Sequence, residues 1–128
     1  MKLRYWMAAK SIVEILFGIG FVIAPVFVGT IFGMDLDESG ALMAQLFGTL
    51  FIFGSIVLWL SQKAQETEPA VRAIVIAVVI SNVIGFVLTL LASLNGVWNA
   101  LGWIPVALFL VFALGFTYFL FAKPAPRK

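Results

Sequence analysis

The chain has 128 residues, of which 63% are hydrophobic and only 11% are charged. Soluble domains carry about 25% charged residues, and a chain this short could not remove so much apolar surface from water. The net charge of +2 comes without a basic stripe or a nucleic-acid motif, so we expect no nucleic-acid partner. Because the sequence contains no Cys and no His, disulfides and the commonest metal ligands are excluded.

Four long apolar stretches occupy most of the chain. A helix of about 20 residues crosses the hydrocarbon core of a bilayer, and the predicted spans cover residues 5–24, 41–60, 70–94 and 103–121. The first span starts like a signal peptide, but Glu14 interrupts its apolar run and Pro25 stands where a cleavage site would be, so we expect a retained helix. The sequence therefore predicts an all-α fold, in which one integral-membrane domain over residues 1–128 forms an up-down-up-down four-helix transmembrane bundle.

Proline and capping residues mark the ends of the predicted helices. Pro25 lacks a backbone donor and should end or kink the first helix, so residues 26–33 either finish that helix after a kink or lie along the outer interface. Asp37 or Ser39 could cap the second helix. Pro69 is typical of a first helical turn and indicates where the third helix begins.

The basic residues predict the orientation in the membrane, because Lys and Arg gather in cytoplasmic loops. All eight fall at one end of the predicted bundle: Lys2, Arg4, Lys10, Lys63, Arg72, Lys123, Arg127 and Lys128. The opposite end has no Lys or Arg and carries Asp35, Asp37 and Glu38. We therefore expect both termini in the cytoplasm of a prokaryotic cell, with the chain in its inner membrane.

Small residues recur at every fourth position of the third span and define a small-residue stripe. Its members are Ala73, Ala77, Ser81, Gly85, Thr89 and Ser93. Helices in lipid associate by close approach at small residues, so the stripe and Gly48 on the second span are predicted helix-packing or partner interfaces. The stripe could pack within the bundle, or it could dock another subunit or a flat cofactor ring.

The second and fourth spans also present Phe-rich faces. Their members are Phe47, Phe51, Phe53, Phe109, Phe112, Phe116 and Phe119. Such faces ordinarily contact lipid tails, which is the favoured interpretation; contact with a bound quinone, carotenoid or chlorophyll is the alternative. The sequence leaves these occupants open.

Glu14 is the most informative polar residue inside the predicted spans. It lies about 6–10 Å beyond the inner interface, given the helical rise per residue. A carboxylate at that depth must be paired, neutral or in a wet cavity. Lys10, Arg72 and Ser55 are its predicted partners in a structural contact; a proton- or cation-coupling role and an intersubunit contact are the alternatives.

Two amides complete the predicted set of intramembrane polar residues. Asn82 lies near the middle of the third span, and Gln45 lies toward the outer end of the second. Because an amide in lipid needs a hydrogen-bond partner, we expect both to bond across helices. Ligation of a chlorophyll magnesium is a weaker alternative.

The order of these landmarks resembles a loose family of small four-helix prokaryotic membrane proteins of unknown function. The matching residues are Gly18, Gly20, Phe21, Pro25 and Gly33, the Gln45–Gly48 segment, Arg72 and Asn82. The resemblance implies a four-helix bundle and supplies no activity.

No catalytic motif, nucleotide loop or cluster of metal ligands stands in the sequence, so we expect a protein that is not an enzyme. The favoured hypothesis is a small accessory or structural subunit that packs against a larger energy-converting membrane complex, photosynthetic or respiratory. Membrane lipid and other membrane subunits are the expected partners, with a bound lipid, carotenoid or chlorophyll as candidate ligands. The alternative is a small homo-oligomeric proton- or cation-coupled transporter or channel that uses Glu14.

Overall fold

The computed structural model describes residues 2–122, and every regular element in that range is helical. The helices are α1 (Leu3–Ile23), α2 (Pro25–Ile31), α3 (Glu38–Ser61), α4 (Pro69–Leu94) and α5 (Trp103–Phe121), and a 3₁₀ turn (Ala100–Gly102) precedes α5. Four of them, α1, α3, α4 and α5 with its 3₁₀ turn, are long and apolar enough to cross a membrane. The predicted all-α class is confirmed, and the chain is consistent with a multi-pass four-helix bundle. Lys123, Arg127 and Lys128 of the predicted basic end lie outside the described residues.

Local signals decide where the helices begin and end. Ala24 leaves the helical conformation, with φ −139° and ψ 62°, and Pro25 starts α2 as a separate short helix. The Asp37 side chain accepts a hydrogen bond from the Gly40 backbone N–H at 2.7 Å and so caps α3. Pro69 occupies the first turn of α4, where its missing donor costs no intrahelical bond.

Helices α1 and α3 form a tightly packed antiparallel pair. Their backbones approach closely at Gly18 and Gly48, where a Cβ atom added to Gly48 would lie 2.8 Å from the Gly18 carbonyl oxygen. Toward the N-terminal end of α1, the Ser11 and Ser55 hydroxyls can each donate to the other residue's carbonyl oxygen at 2.8 Å. The two hydroxyl oxygens lie 3.0 Å apart, so either hydroxyl can instead donate to the other. Lipid cannot hydrogen-bond the two serine hydroxyls, and the two glycines allow the helices to approach closely. Together these contacts fix the register of the α1–α3 pair.

Helices α4 and α5 form the second pair, and the two pairs meet at both ends. At the N-terminal end of α1, a core of apolar side chains joins all four long helices. It contains Leu3, Met7, Leu58, Val71, Val75, Val78, Phe112 and Phe116. At the opposite end, Asn99 Nδ2 donates to the Ile31 carbonyl oxygen at 2.9 Å, and the Phe32 and Trp98 rings lie 5.7 Å apart. Between these two junctions the pairs separate and leave a cleft.

Candidate functional site

The central cleft lies between the α1–α3 pair and the α4–α5 pair and has a volume of about 790 Å³. Volumes of roughly 300–1,000 Å³ are typical of sites for small molecules and cofactors. Phe17, Phe21 and Phe51 line one side, and Phe109 and Phe112 line the other. The cleft is therefore of ligand size, with walls that an apolar molecule would contact.

The α1–α3 side of the cleft is a continuous aromatic surface. The Phe47 and Phe51 ring centroids lie 4.4 Å apart, and Phe21 lies 5.7 Å from Phe47 and 6.2 Å from Phe51. Phe17 extends the same cluster along α1. Of the Phe residues predicted to form faces, five line the cleft: Phe47, Phe51, Phe53, Phe109 and Phe112. Phe116 is instead fully buried in the core, and Phe119 packs against that core.

Most of the small-residue stripe of α4 lies along the cleft. Four of its members line the cleft: Ala77, Ser81, Gly85 and Thr89. Gly85 also packs directly beneath the Phe109 ring of α5. Ala73 is exposed outside the cleft, and Ser93 accepts a hydrogen bond from Trp98 Nε1 at 2.7 Å. The buried face of α4 consists of other residues: Val71, Val75, Val78 and Asn82. Gly48, which was predicted alongside the stripe, lies at the α1–α3 crossing.

Glu14 and Lys10 form a buried ion pair on the cleft wall. Lys10 Nζ lies 2.8 Å from Glu14 Oε1, and the two residues are only 5% and 9% exposed. The ammonium also lies 5.2 Å from the centroid of the Phe112 ring, close enough for a cation–π contact. Glu14 Oε2 has no hydrogen-bond partner. Lys10 is thus the predicted partner that Glu14 contacts, whereas Ser55 bonds to Ser11 and Arg72 is exposed.

Gly54 makes room for the Glu14 carboxylate. A Cβ atom added at Gly54 would lie 2.8 Å from Glu14 Oε2, so a side chain there would push the carboxylate out of its position. The sequence analysis missed both Gly54 and Ser11. The adjacent small residues Gly54 and Ser55 were the available signal, because small residues permit the close approach that a buried carboxylate opposite them requires.

The two intramembrane amides differ in their bonding. Gln45 Nε2 donates to the Val22 carbonyl oxygen at 3.0 Å and joins α3 to α1, as predicted. Asn82 is 1% exposed, and its Nδ2 donates to the Val78 carbonyl oxygen of its own helix at 2.7 Å. The interhelical bond expected for Asn82 is therefore not formed, and Asn82 Oδ1 has no partner. Asn82 lines the cleft, as does Glu14.

The cleft combines apolar walls with one ion pair and one unpartnered oxygen each on Glu14 and Asn82. The Lys10–Glu14 pair is neutral overall, and residues 2–122 hold no group of three or more Asp or Glu residues that could bind a metal ion. No protein-family model, curated protein or solved structure matches the chain. The function proposed below therefore rests on the residues of the cleft.

Proposed function

We propose that this chain is a non-catalytic, multi-pass membrane protein that holds a lipophilic molecule in the central cleft and serves as an accessory subunit beside a larger membrane complex. The observation that carries the proposal is the cleft itself, which encloses about 790 Å³ between walls rich in Phe. In a bilayer, such a space fills with an apolar occupant because its walls are mostly apolar and offer water few hydrogen bonds. An occupant that enters from the membrane also needs no route through water.

The proposed orientation follows from the charge at the two ends of the bundle. The Leu3 backbone N–H donates to Glu66 Oε1 at 3.3 Å, which places the N-terminus beside the loop that carries Lys63. Asp35 and Asp37 lie at the opposite end, beside α2. Under the positive-inside rule, the end with the N-terminus faces the cytoplasm of a prokaryotic inner membrane.

A pair of tryptophan substitutions on α4 tests the binding role. Ala77 lines the cleft, and the Ala77→Trp indole would occupy space that the ligand needs. Ala73 lies one turn earlier on the same helix, is exposed and does not line the cleft, so Ala73→Trp is a matched control. The measurement is mass spectrometry of lipophilic molecules that remain with each full-length protein after gentle purification.

The proposal predicts a molecule retained by the wild type and by Ala73→Trp, and its loss from Ala77→Trp. Equal retention by all three proteins would contradict binding in the cleft. The accessory role has its own readout, which is elution of the tagged chain with larger membrane subunits under the same mild conditions. A chain that elutes alone with its ligand would contradict the accessory role and leave the binding role standing.

A second candidate function is a homo-oligomeric proton- or cation-coupled transporter, and Glu14 favours it. A buried carboxylate with one unpartnered oxygen beside a cleft is a common feature of coupling sites. If the chain is a transporter, Glu14→Gln abolishes proton-linked flux in proteoliposomes even when the flux is normalised to the amount of folded protein. The favoured proposal predicts no proton-linked flux for the wild type or for the variant.

A further inference from the structure

The apolar walls of the cleft are interrupted on each side by one polar atom that lacks a partner. These atoms are Glu14 Oε2 on α1 and Asn82 Oδ1 on α4, and no other buried side-chain nitrogen or oxygen within residues 2–122 lacks a hydrogen bond. An unsatisfied buried polar atom costs roughly 1–3 kcal/mol. Two such atoms on facing sides of one cleft indicate a ligand that supplies what is missing.

Both atoms are hydrogen-bond acceptors. The Asn82 amide is oriented by its Nδ2 bond to Val78, which leaves the carbonyl oxygen unpartnered. Glu14 Oε1 already accepts from Lys10, and Oε2 is the second oxygen of the same carboxylate. Glu14 and Asn82 both line the cleft, so each unpartnered oxygen belongs to a side chain that forms part of the cleft wall. A ligand that pairs with these two oxygens must therefore supply hydrogen-bond donors.

The charge of the site favours a donor that is itself uncharged. Lys10 neutralises Glu14, so a cationic head has no unbalanced charge to meet. A phosphate head would place its negative oxygens against two acceptor atoms, which is repulsive at close range in a medium of low dielectric. Hydroxyl groups donate without adding charge.

The length of the cleft limits what it can hold. The cleft extends along α4 from Ile74 to Thr89, about 22 Å at the rise of an α-helix. The two helix pairs meet beyond each end of it, whereas a transmembrane helix of about 20 residues is about 30 Å long. A single hydrocarbon chain therefore fits the length of the cleft better than a transmembrane helix does.

We infer that the ligand is a single-chain lipid with an uncharged, hydroxyl-bearing head. Its hydroxyls donate to Glu14 Oε2 and Asn82 Oδ1, and its tail lies along the Phe-rich half of the cleft toward Phe32 and Trp98. This inference rests on the proposed binding role and specifies the class of molecule that is bound. It also explains why the second carboxylate oxygen of Glu14 and the amide oxygen of Asn82 have no partner within the protein.

The test compares three lipids that share one oleoyl chain, each offered to the full-length protein in nanodiscs of saturated phosphatidylcholine. Monoolein has two hydroxyl donors, methyl oleate has none, and lysophosphatidic acid adds a negative charge. Native mass spectrometry measures the bound fraction of each lipid as its concentration is raised. Because each hydrogen bond to a buried acceptor favours binding by roughly two- to tenfold, monoolein should bind about tenfold more tightly than methyl oleate, and lysophosphatidic acid should bind no better than methyl oleate.

Two variants locate the effect within the protein. Asn82→Leu removes one acceptor and should reduce the preference for monoolein to about threefold. Gln45→Leu removes an amide that bonds to Val22 and does not line the cleft, so it should leave the wild-type preference unchanged. If Asn82→Leu does not fold, the ratio of the monoolein and methyl oleate affinities measured on the wild type still tests the inference about the head.

The outcomes separate the two proposals. Equal binding of monoolein and methyl oleate, or tighter binding of lysophosphatidic acid, would overturn the inference about the head and leave the binding role intact. Failure of all three lipids to bind, together with no molecule retained from native membranes, would overturn the binding role as well.

Discussion

The close approach of α1 and α3 at Gly48 makes a quantitative prediction. A Cβ atom at this position would lie 2.8 Å from the Gly18 carbonyl oxygen, 2.9 Å from Phe21 Cβ and 3.0 Å from Val22 Cγ2. The first of these is a backbone atom that cannot rotate away, so Gly48→Ala forces α1 and α3 apart. Overpacking of this kind typically costs 1–3 kcal/mol.

Gly20→Ala is the matched control for this prediction. A Cβ atom at Gly20 meets only Val28 Cγ2, at 3.3 Å, and that side chain can adjust. Both substitutions gain the roughly 1 kcal/mol by which Ala exceeds Gly in helix propensity. The difference between the two variants therefore isolates the steric cost, and Gly48→Ala should be less stable than Gly20→Ala by about 1–3 kcal/mol.

The assay is unfolding of the two variants in mixed micelles by titration with a denaturing detergent, followed by circular dichroism. The free energy of unfolding is read from the transition of each variant under identical conditions. Equal stability of Gly48→Ala and Gly20→Ala would refute the reasoning, because it would mean that α1 and α3 do not meet at Gly48 in this way.

Three further predictions follow from the polar contacts. In a double-mutant cycle, the effects of Ser11→Ala and Ser55→Ala on the free energy of unfolding should be coupled by about 0.6 kcal/mol, and by at most about 1.7 kcal/mol, the range for hydrogen bonds between membrane helices. Additive effects would contradict the reciprocal hydrogen bonds. Glu14→Gln should reduce the free energy of unfolding by several kcal/mol because it leaves the buried ammonium of Lys10 unpaired. Adding Lys10→Met to this variant should recover much of that loss. A further loss of stability in the double variant would contradict the ion pair. Asp37→Ala should cost about 1 kcal/mol by removing the cap of α3, and an unchanged unfolding transition would show that the cap contributes nothing.

The sequence predicted the features of the fold that depend on neighbouring residues. The apolar spans follow from hydropathy because about 20 apolar residues have few alternatives to crossing a bilayer. The helix break at Pro25, the cap at Asp37 and the first turn at Pro69 follow from the chemistry of single residues. The Gln45 bond between α3 and α1 follows from the need of an amide in lipid for a partner.

The contacts of the site depended on how each helix is rotated about its own axis, which periodicity alone does not determine. Depth in the membrane made Ser55 a candidate partner for Glu14, but Ser55 faces Ser11 instead. The small-residue stripe suggested the packed face of α4, yet α4 buries Val75 and Asn82 and presents Ala77 to the cleft. The shapes of residues on other helices, such as the Phe109 ring over Gly85, decide these rotations.

The central claim, that the cleft holds a lipophilic molecule, is tested most directly by an experimental structure of the full-length protein purified gently from its own membranes. The account predicts continuous non-protein density between Phe51 and Phe109, with one end beside Asn82 and Glu14. Two helix pairs closed against each other, with protein side chains filling the space between Phe51 and Phe109, would contradict it.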